Sequence, residues 1–209
     1  MKYIADLHIH SKYARATSKD LSLENLEKYA RIKGVTLLGT GDFTHPEWIK
    51  EIKAKLNEDG TGILRSDSGF PFLLQTEICV VYTQGGKGRR IHHLINAPSL
   101  EVVKQITEFL LTKGRLDYDG RPIFGMSSIV LAEEMHRISP DIEVIPAHAW
   151  TPWMGIFGSE SGFNSLKECF GEKASKIHAI ETGMSSDPAM NWRIPELDNI
   201  PLMSNSDCH

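Results

Sequence analysis

Cysteine is scarce in this chain: its 209 residues include three, Cys79, Cys169 and Cys208, far apart in sequence. That is too few and too scattered for a disulfide framework, and a reducing cytoplasm is the expected compartment. No apolar run approaches the roughly 18 residues of a membrane helix, so no membrane partner is expected. The start of the chain lacks a basic stretch followed by an apolar one, which argues against secretion. Positive charge is also in short supply. Lys and Arg number 23 against 27 Asp and Glu, and the net charge is −4. This excludes a broad basic nucleic-acid surface but not nucleic acid as such, because carboxylates that hold metal are neutralised and the metal adds charge of its own. There is no Walker phosphate loop, no Gly-x-Ser-x-Gly elbow and no Cys-x-x-Cys pair, so P-loop, serine-hydrolase and dithiol chemistry fall away. Repeats, low-complexity segments and linkers are absent too, and the length suits one domain with a full core.

What is present is an alternation of apolar strand-like runs and helical patterns. Ser22 is placed to cap a helix with the stripe Leu23, Leu26 and Ala30, ended by Gly34. Val35 to Leu38 is a buried strand. Pro46 opens a second helix carrying Trp48, Ile49, Ile52 and Leu56. Phe70 to Glu77 is a strand, and Cys79 to Tyr82 with Arg90 to Ile95 flank Gly85-Gly86 as a hairpin. Ser99 caps a third helix, ending near Lys113-Gly114, and Ser127 or Ser128 a fourth, reaching Ile138. Glu143 to Pro146, Lys176 to Ile180 and Ile200 to Met203 are strands; short helices lie at Asn164 to Phe170 and after Asp187-Pro188. The pattern is that of an α/β protein with a parallel sheet, open or closed.

Potential metal ligands stand at the end of nearly every strand. Ile4-Ala5 leads to His8 and His10, Leu37-Leu38 to Asp42, Phe72 to Leu74 to Glu77, Ile145 to Ala147 to His148, and Leu202-Met203 to Asp207 and His209. Ligands converging from many strand ends are what a barrel offers at its carboxyl mouth. His8 and His10 occupy alternate positions of one strand, so both imidazoles face the same side and can share an ion. Asp207 and His209 repeat that arrangement at the other end of the chain, and the two pairs together suggest a site assembled from both ends. His92 and His93 are adjacent and face opposite sides; His93 is favoured as a ligand. A buried Glu77 needs a cationic partner, which a metal would supply. His148 reads equally as a core histidine, and Asp42 also as a turn aspartate. His45 reads equally as a surface residue. Glu181 can orient a histidine or touch substrate. Trp150, Trp153, Phe157 and Phe163 share a long loop that could stack on a base or simply be anchored. Lys87, Arg89 and Arg90 mark a basic hairpin tip.

At these residues the chain resembles the polymerase-and-histidinol-phosphatase (PHP) family of metal-dependent phosphoesterases. The motifs that carry the resemblance are His8-Ile9-His10, Asp42, Glu77, His93, Pro146-Ala147-His148 and Asp207-Cys208-His209. The resemblance implies a distorted barrel of seven β/α units spanning residues 1–209. It implies two or three divalent ions, of zinc, manganese or iron, held by His8, His10, Asp42, Glu77, His93, His148, Asp207 and His209. Asp207, His148 and Glu77 are then also catalytic. Two departures stand out: Phe43 follows Asp42 where many relatives have histidine, and Tyr13 to Thr17 lacks a further histidine.

Within the family, Ala5 to Ser11, Gly39 to Asp42 and Glu181 through Pro188 to Trp192 are similar to segments of the endonuclease Q enzymes. That likeness implies DNA with damaged bases as substrate, cut on the 5′ side of hypoxanthine, uracil, xanthine or an abasic site. Glu181, Ser185, Ser186, Arg15 and Trp150 are the expected substrate contacts. The chain is expected to lack a carboxyl-terminal part, through which replication or repair factors could bind. The competing readings are a small-molecule phosphomonoesterase of the histidinol-phosphatase type and a non-catalytic binding barrel.

Overall fold

The computed structural model describes residues 3–209. In chain order these residues form β1 (Ala5–Asp6), α1 (Leu23–Lys33), β2 (Leu37–Gly39), α2 (Pro46–Lys55), β3 (Asn57–Glu58), β4 (Ile63–Arg65), β5 (Pro71–Gln84), β6 (Lys87–Ala97), α3 (Leu100–Leu111), β7 (Ile123–Phe124), α4 (Ser128–Ile138), β8 (Glu143–Pro146), α5 (Leu166–Phe170), β9 (Ile180–Glu181), α6 (Pro188–Asn191) and β10 (Leu202–Met203). Two 3-10 turns, Gly171–Lys176 and Pro195–Leu197, complete the set.

The chain divides into two compact units, where the composition suggests one domain. The first takes in the chain up to Glu77 together with Asn96–Pro122 and Asn205–His209. In it β1 pairs parallel with β2 (Ala5 with Leu37), and β2 with β5 (Leu38 with Phe72). β5 continues antiparallel to β4, and β4 to β3. Helices supply the crossovers. The α1 helix begins where the Ser22 hydroxyl accepts the Asn25 amide and ends at Gly34, whose φ of 76° suits glycine. It buries Leu23, Leu26 and Ala30, while α2 buries Trp48 and Ile52. The Trp48 indole donates to the carbonyls of Thr40 and Gly41, both at 3.0 Å, and so fixes the loop after β2.

The second unit comprises Ile78–Ile95 and Ile123–Ser204. The far half of β5 turns at Gly85 and Gly86 (φ 63° and 72°), a left-handed pair that suits a two-residue hairpin, into β6. β7 pairs parallel with β5 through Cys79 and Ile123, and β8 pairs with β6. β9 and β10 form a separate parallel pair. Leu94, Ile145 and Ala147 make a small core, packed by Ala179 and Met203.

One expectation is corrected, one hairpin is additional, and closure of the sheet is not observed. The runs Phe70 to Glu77 and Cys79 to Tyr82 are one 14-residue strand, because Ile78 between them is fully buried and no turn residue intervenes. The β3–β4 hairpin escaped the sequence pattern, since its arms are only two and three residues long. The strand pairing is mixed and open rather than a closed barrel. Among the described residues no helix is long and apolar enough to cross a membrane.

Candidate metal centre

In the first unit the parallel strands β1 and β2 deliver His8, His10 and Asp42 just past their carboxyl ends, and β5 carries Glu77. The last residues of the chain run beside the first. Ile9 bridges Cys208 in parallel, and the His10 amide donates to the Cys208 carbonyl at 3.2 Å. Asn205 accepts the Leu7 amide at 2.9 Å, and Asp6 accepts the Ser206 amide at 3.0 Å. These bonds place Asp207 and His209 against His8 and His10. Ile9 packs away from them and is 1 % exposed.

The result is a tight donor cluster. His8 Nε2 lies 3.2 Å from Asp207 Oδ1 and 3.6 Å from Glu77 Oε1. His10 Nε2 lies 3.2 Å from the same Asp207 oxygen and 3.4 Å from Glu77 Oε2. The His10 and His209 rings stand 4.8 Å apart. Ligand atoms of His8, His10 and Glu77 fall within 4.8 Å of one another, as do those of His10, Asp207 and His209. His10 Nε2 and Asp207 Oδ1 are buried, yet neither finds a partner at hydrogen-bonding angles. Such orphaned atoms are costly unless something else satisfies them, and atoms converging at these distances suit a cation between them. The charge balance agrees. Burial works against a charged His10, but Asp207, Asp42 and Glu77 outweigh it, and its pKa is raised well above the ordinary value. Burial likewise pushes the Asp207 carboxyl up, but His10 and His8 overcome this and hold it at about 2. The pocket therefore demands positive charge. Imidazole and carboxylate donors together suit zinc, manganese or iron.

Asp42 stands behind this cluster instead of in it. Its Oδ1 is 2.9 Å from His10 Nδ1, and its Oδ2 accepts the Ser11 amide at 2.6 Å. A proton on Nδ1 shared with Asp42 leaves the Nε2 lone pair for a metal, the carboxylate–histidine arrangement that orients ligands. Asp42, expected as a ligand, thus has one carboxylate oxygen on the His10 ring and the other on the Ser11 amide. His45 caps α2, accepting the Glu47 amide at Nδ1, and its ring stacks on Tyr13 at 4.5 Å.

The sequence pattern missed Arg121. Its Nη1 lies 3.4 Å from Glu77 Oε2 and 3.5 Å from His209 Nε2. It sits in a polar loop far from every ligand motif, and the only local signal is the Asp119-Gly120 turn before it. Arg15, an expected substrate contact, has a side chain 71 % exposed and lies 3.6 Å from Asp119.

In the second unit His92, not His93, turns toward His148. His92 Nδ1 is 3.2 Å from His148 Nε2, while His93 Nε2 meets the Ser128 hydroxyl at 2.9 Å. The two neighbours do face opposite ways: Ser128 and Tyr82 build a polar niche behind β6 for His93, the favoured ligand, while His92 faces His148. Glu181 is fully buried and anchors backbone: its Oε2 accepts the His148 amide at 2.7 Å, and its carbonyl the Ala149 amide at 2.8 Å. Ser185 and Ser186 both donate to the Thr182 carbonyl within a turn. Trp150 donates to Asn191 at 2.9 Å and packs on Phe157, so it anchors its loop. Arg89, at the basic hairpin, is buried and stacks on Phe163 at 4.0 Å.

Backbone strain falls on the same residues. Asp42, His148 and Asp207 have φ of 38°, 30° and 50°, a left-handed region that non-glycine residues rarely enter. Such strain persists where the surroundings over-determine a side chain's position, and it clusters at functional sites.

Strands that deliver buried imidazoles and carboxylates to one converging, cation-demanding cluster define an α/β metal-binding protein. The particular relatives are more informative. The chain is similar to Pyrococcus furiosus endonuclease Q, described as a lesion-specific endonuclease, with 32 % identity and a TM-score of 0.87 over 100 % of this chain and 49 % of that one. It is similar to endonuclease Q in complex with a 27-mer duplex bearing an abasic lesion at the active site, with 34 % identity and a TM-score of 0.85 over 97 % of this chain and 48 % of that one. A metal-dependent phosphoesterase from Bifidobacterium adolescentis shares the fold, with a TM-score of 0.61 at 15 % identity over 98 % of this chain and 87 % of that one. Among curated proteins, an uncharacterised protein of Methanocaldococcus jannaschii is 34 % identical over 148 residues, 70 % of this chain and 16 % of that one. An uncharacterised protein of Bacillus subtilis is 30 % identical over 226 aligned positions, 100 % of this chain and 55 % of that one. No protein-family model matches. The resemblance carried by the histidine and aspartate motifs is thus borne out, and the chain spans about half the length of its endonuclease Q relatives.

Proposed function

We propose that this chain carries the metal centre of a DNA phosphodiester hydrolase that cuts on the 5′ side of deaminated bases or abasic sites. The observation that carries the reading is the convergence of ligand atoms from His8, His10 and Glu77, all buried, with those of half-buried Asp207 and the more exposed His209. In this reading those residues hold two or three divalent ions, Asp42 fixes the His10 tautomer, and His92 with His148 offers a further pair of imidazoles held in place by Glu181. When bound, such ions lower the pKa of water toward neutrality and stabilise charge on phosphoryl oxygens. The chain then needs no nucleophile of its own. Likeness to a lesion-specific endonuclease and to a complex with lesion-bearing duplex supports damaged DNA as the substrate. Lesions favour selection because a damaged pair costs less to open.

The test is cleavage of an end-labelled duplex with one hypoxanthine, manganese or zinc supplied, beside an undamaged duplex. A single cut 5′ to the lesion is expected, absent from the control and lost by more than about a hundredfold in Asp207→Asn, since removal of even an outer partner costs about 10–100-fold. Hydrolysis of a small phosphomonoester with no cut in the duplex would replace this reading by a metabolite phosphatase.

A further inference from the structure

Arg121 lies in the loop between α3 and β7, and that loop is pinned to the metal centre at several points. Asp119 is 5 % exposed, and its Oδ1 accepts two amides, those of Arg15 at 3.0 Å and Arg121 at 3.1 Å. The Gly120 amide donates to the Tyr13 carbonyl at 3.1 Å. Gly120 passes so close to the carboxylate orienting His10 that an added Cβ would stand 2.5 Å from Asp42 Oδ2. One buried carboxylate thus anchors two arginines. Arg15 is the outer one, beside the Tyr118 ring at 5.7 Å. Arg121 is the inner one, with its side chain 23 % exposed and its guanidinium leaning on Glu77 and His209.

The contacts of Arg121, at 3.4 and 3.5 Å, lie at the outer limit of hydrogen bonding. A fixed guanidinium beside a divalent cation on the same carboxylate is repelled unless an anion sits between them. The planar fork of arginine matches phosphate oxygens, and its charge cannot be titrated away. The geometry points to Arg121 as the residue that grips the phosphoryl group undergoing hydrolysis, with Arg15 as an outer contact to the flanking backbone. This rests on the phosphodiesterase reading above and names the group that holds its substrate.

The experiment measures two affinities on the same protein, manganese first and then inorganic phosphate on the manganese-loaded form, by calorimetry. Arg121→Gln is expected to keep its manganese and its melting temperature while losing phosphate affinity about tenfold to a hundredfold, the range of a lost charge-assisted hydrogen bond. Arg121→Lys, which keeps the charge and loses the fork, should recover part of it. Arg115→Gln on the same loop removes an exposed charge paired to Asp117 and should leave phosphate affinity unchanged. Equal phosphate affinity in Arg121→Gln and wild type overturns the assignment. So does a change in manganese affinity alone, which would make Arg121 a counter-ion of Glu77 and nothing more. Failure of the broader reading looks different: wild-type protein would bind no manganese, or would bind manganese and phosphate yet cut no lesion-bearing duplex.

Discussion

A single imidazole shows how much depends on one residue's surroundings. His45 serves as the N-cap of α2 through a lone pair on Nδ1, so it must be neutral to do the job. Burial lowers its pKa, and Asp42 and Glu47 nearby only partly offset this. The unfolded chain, with an ordinary value of about 6.5, therefore binds a proton more readily than the folded one. Stability from this group is fully present above about pH 6.5 and is lost as pH falls through the lower, folded value. His45→Asn keeps a capping oxygen and removes the titration. Its urea midpoint, compared with wild type between pH 5 and 8 in chelator, should fall less steeply on the acid side; parallel curves would disprove the role. At this scale the sequence was informative about residue type and poor about direction. His8 and His10 were legible from their alternation. Choosing His92 over His93 needed the Ser128 niche, which lies 35 positions away. Asp42 was recognisable as part of the centre, but ligand and orienting partner have the same local pattern.

Among elements, the loop holding Asp119, Gly120 and Arg121 controls the centre from the side. Gly120→Ala would drive a methyl into Asp42, displacing the carboxylate that aims His10. Manganese affinity should drop about tenfold or more, as for loss of other ligand-orienting groups. Gly125→Ala, with open space around its Cβ, should change nothing in the same titration. An unchanged affinity in Gly120→Ala would mean that Asp42 does not govern His10. Helices were the most legible elements, because Ser22, Ser99 and Ser127 cap them and accept the amides expected of such caps. The β3–β4 hairpin and the continuity of β5 were not, since arms of two and three residues give little pattern and the run from Phe72 to Gln84 holds no glycine or proline to mark where it divides. The carboxyl-end placement of the ligands was readable, whereas closure of the sheet was not, because pairing between distant strands leaves no mark on either one.

For the whole molecule, metal and fold should be linked thermodynamically. Binding to the folded state alone adds about 2.7 kcal/mol when free manganese is a hundred times its dissociation constant. For a chain of this size that raises the melting temperature by about 5 to 10 °C. Chelator should reverse the shift, and Asp207→Asn should show little of it in the same scan. A melting temperature indifferent to manganese and zinc would remove the metal centre from the account. The bonds between Leu7 and Asn205 and between Asp6 and Ser206, 198 and 200 positions apart, have a further consequence. The ligand pairs they bring together do not exist as a site in any nascent chain still short of its two-hundred-and-seventh residue. A ribosome that stalls before that point releases a chain without Asp207 and His209 beside His8 and His10. The proposed centre is therefore among the last features that synthesis of this stretch completes.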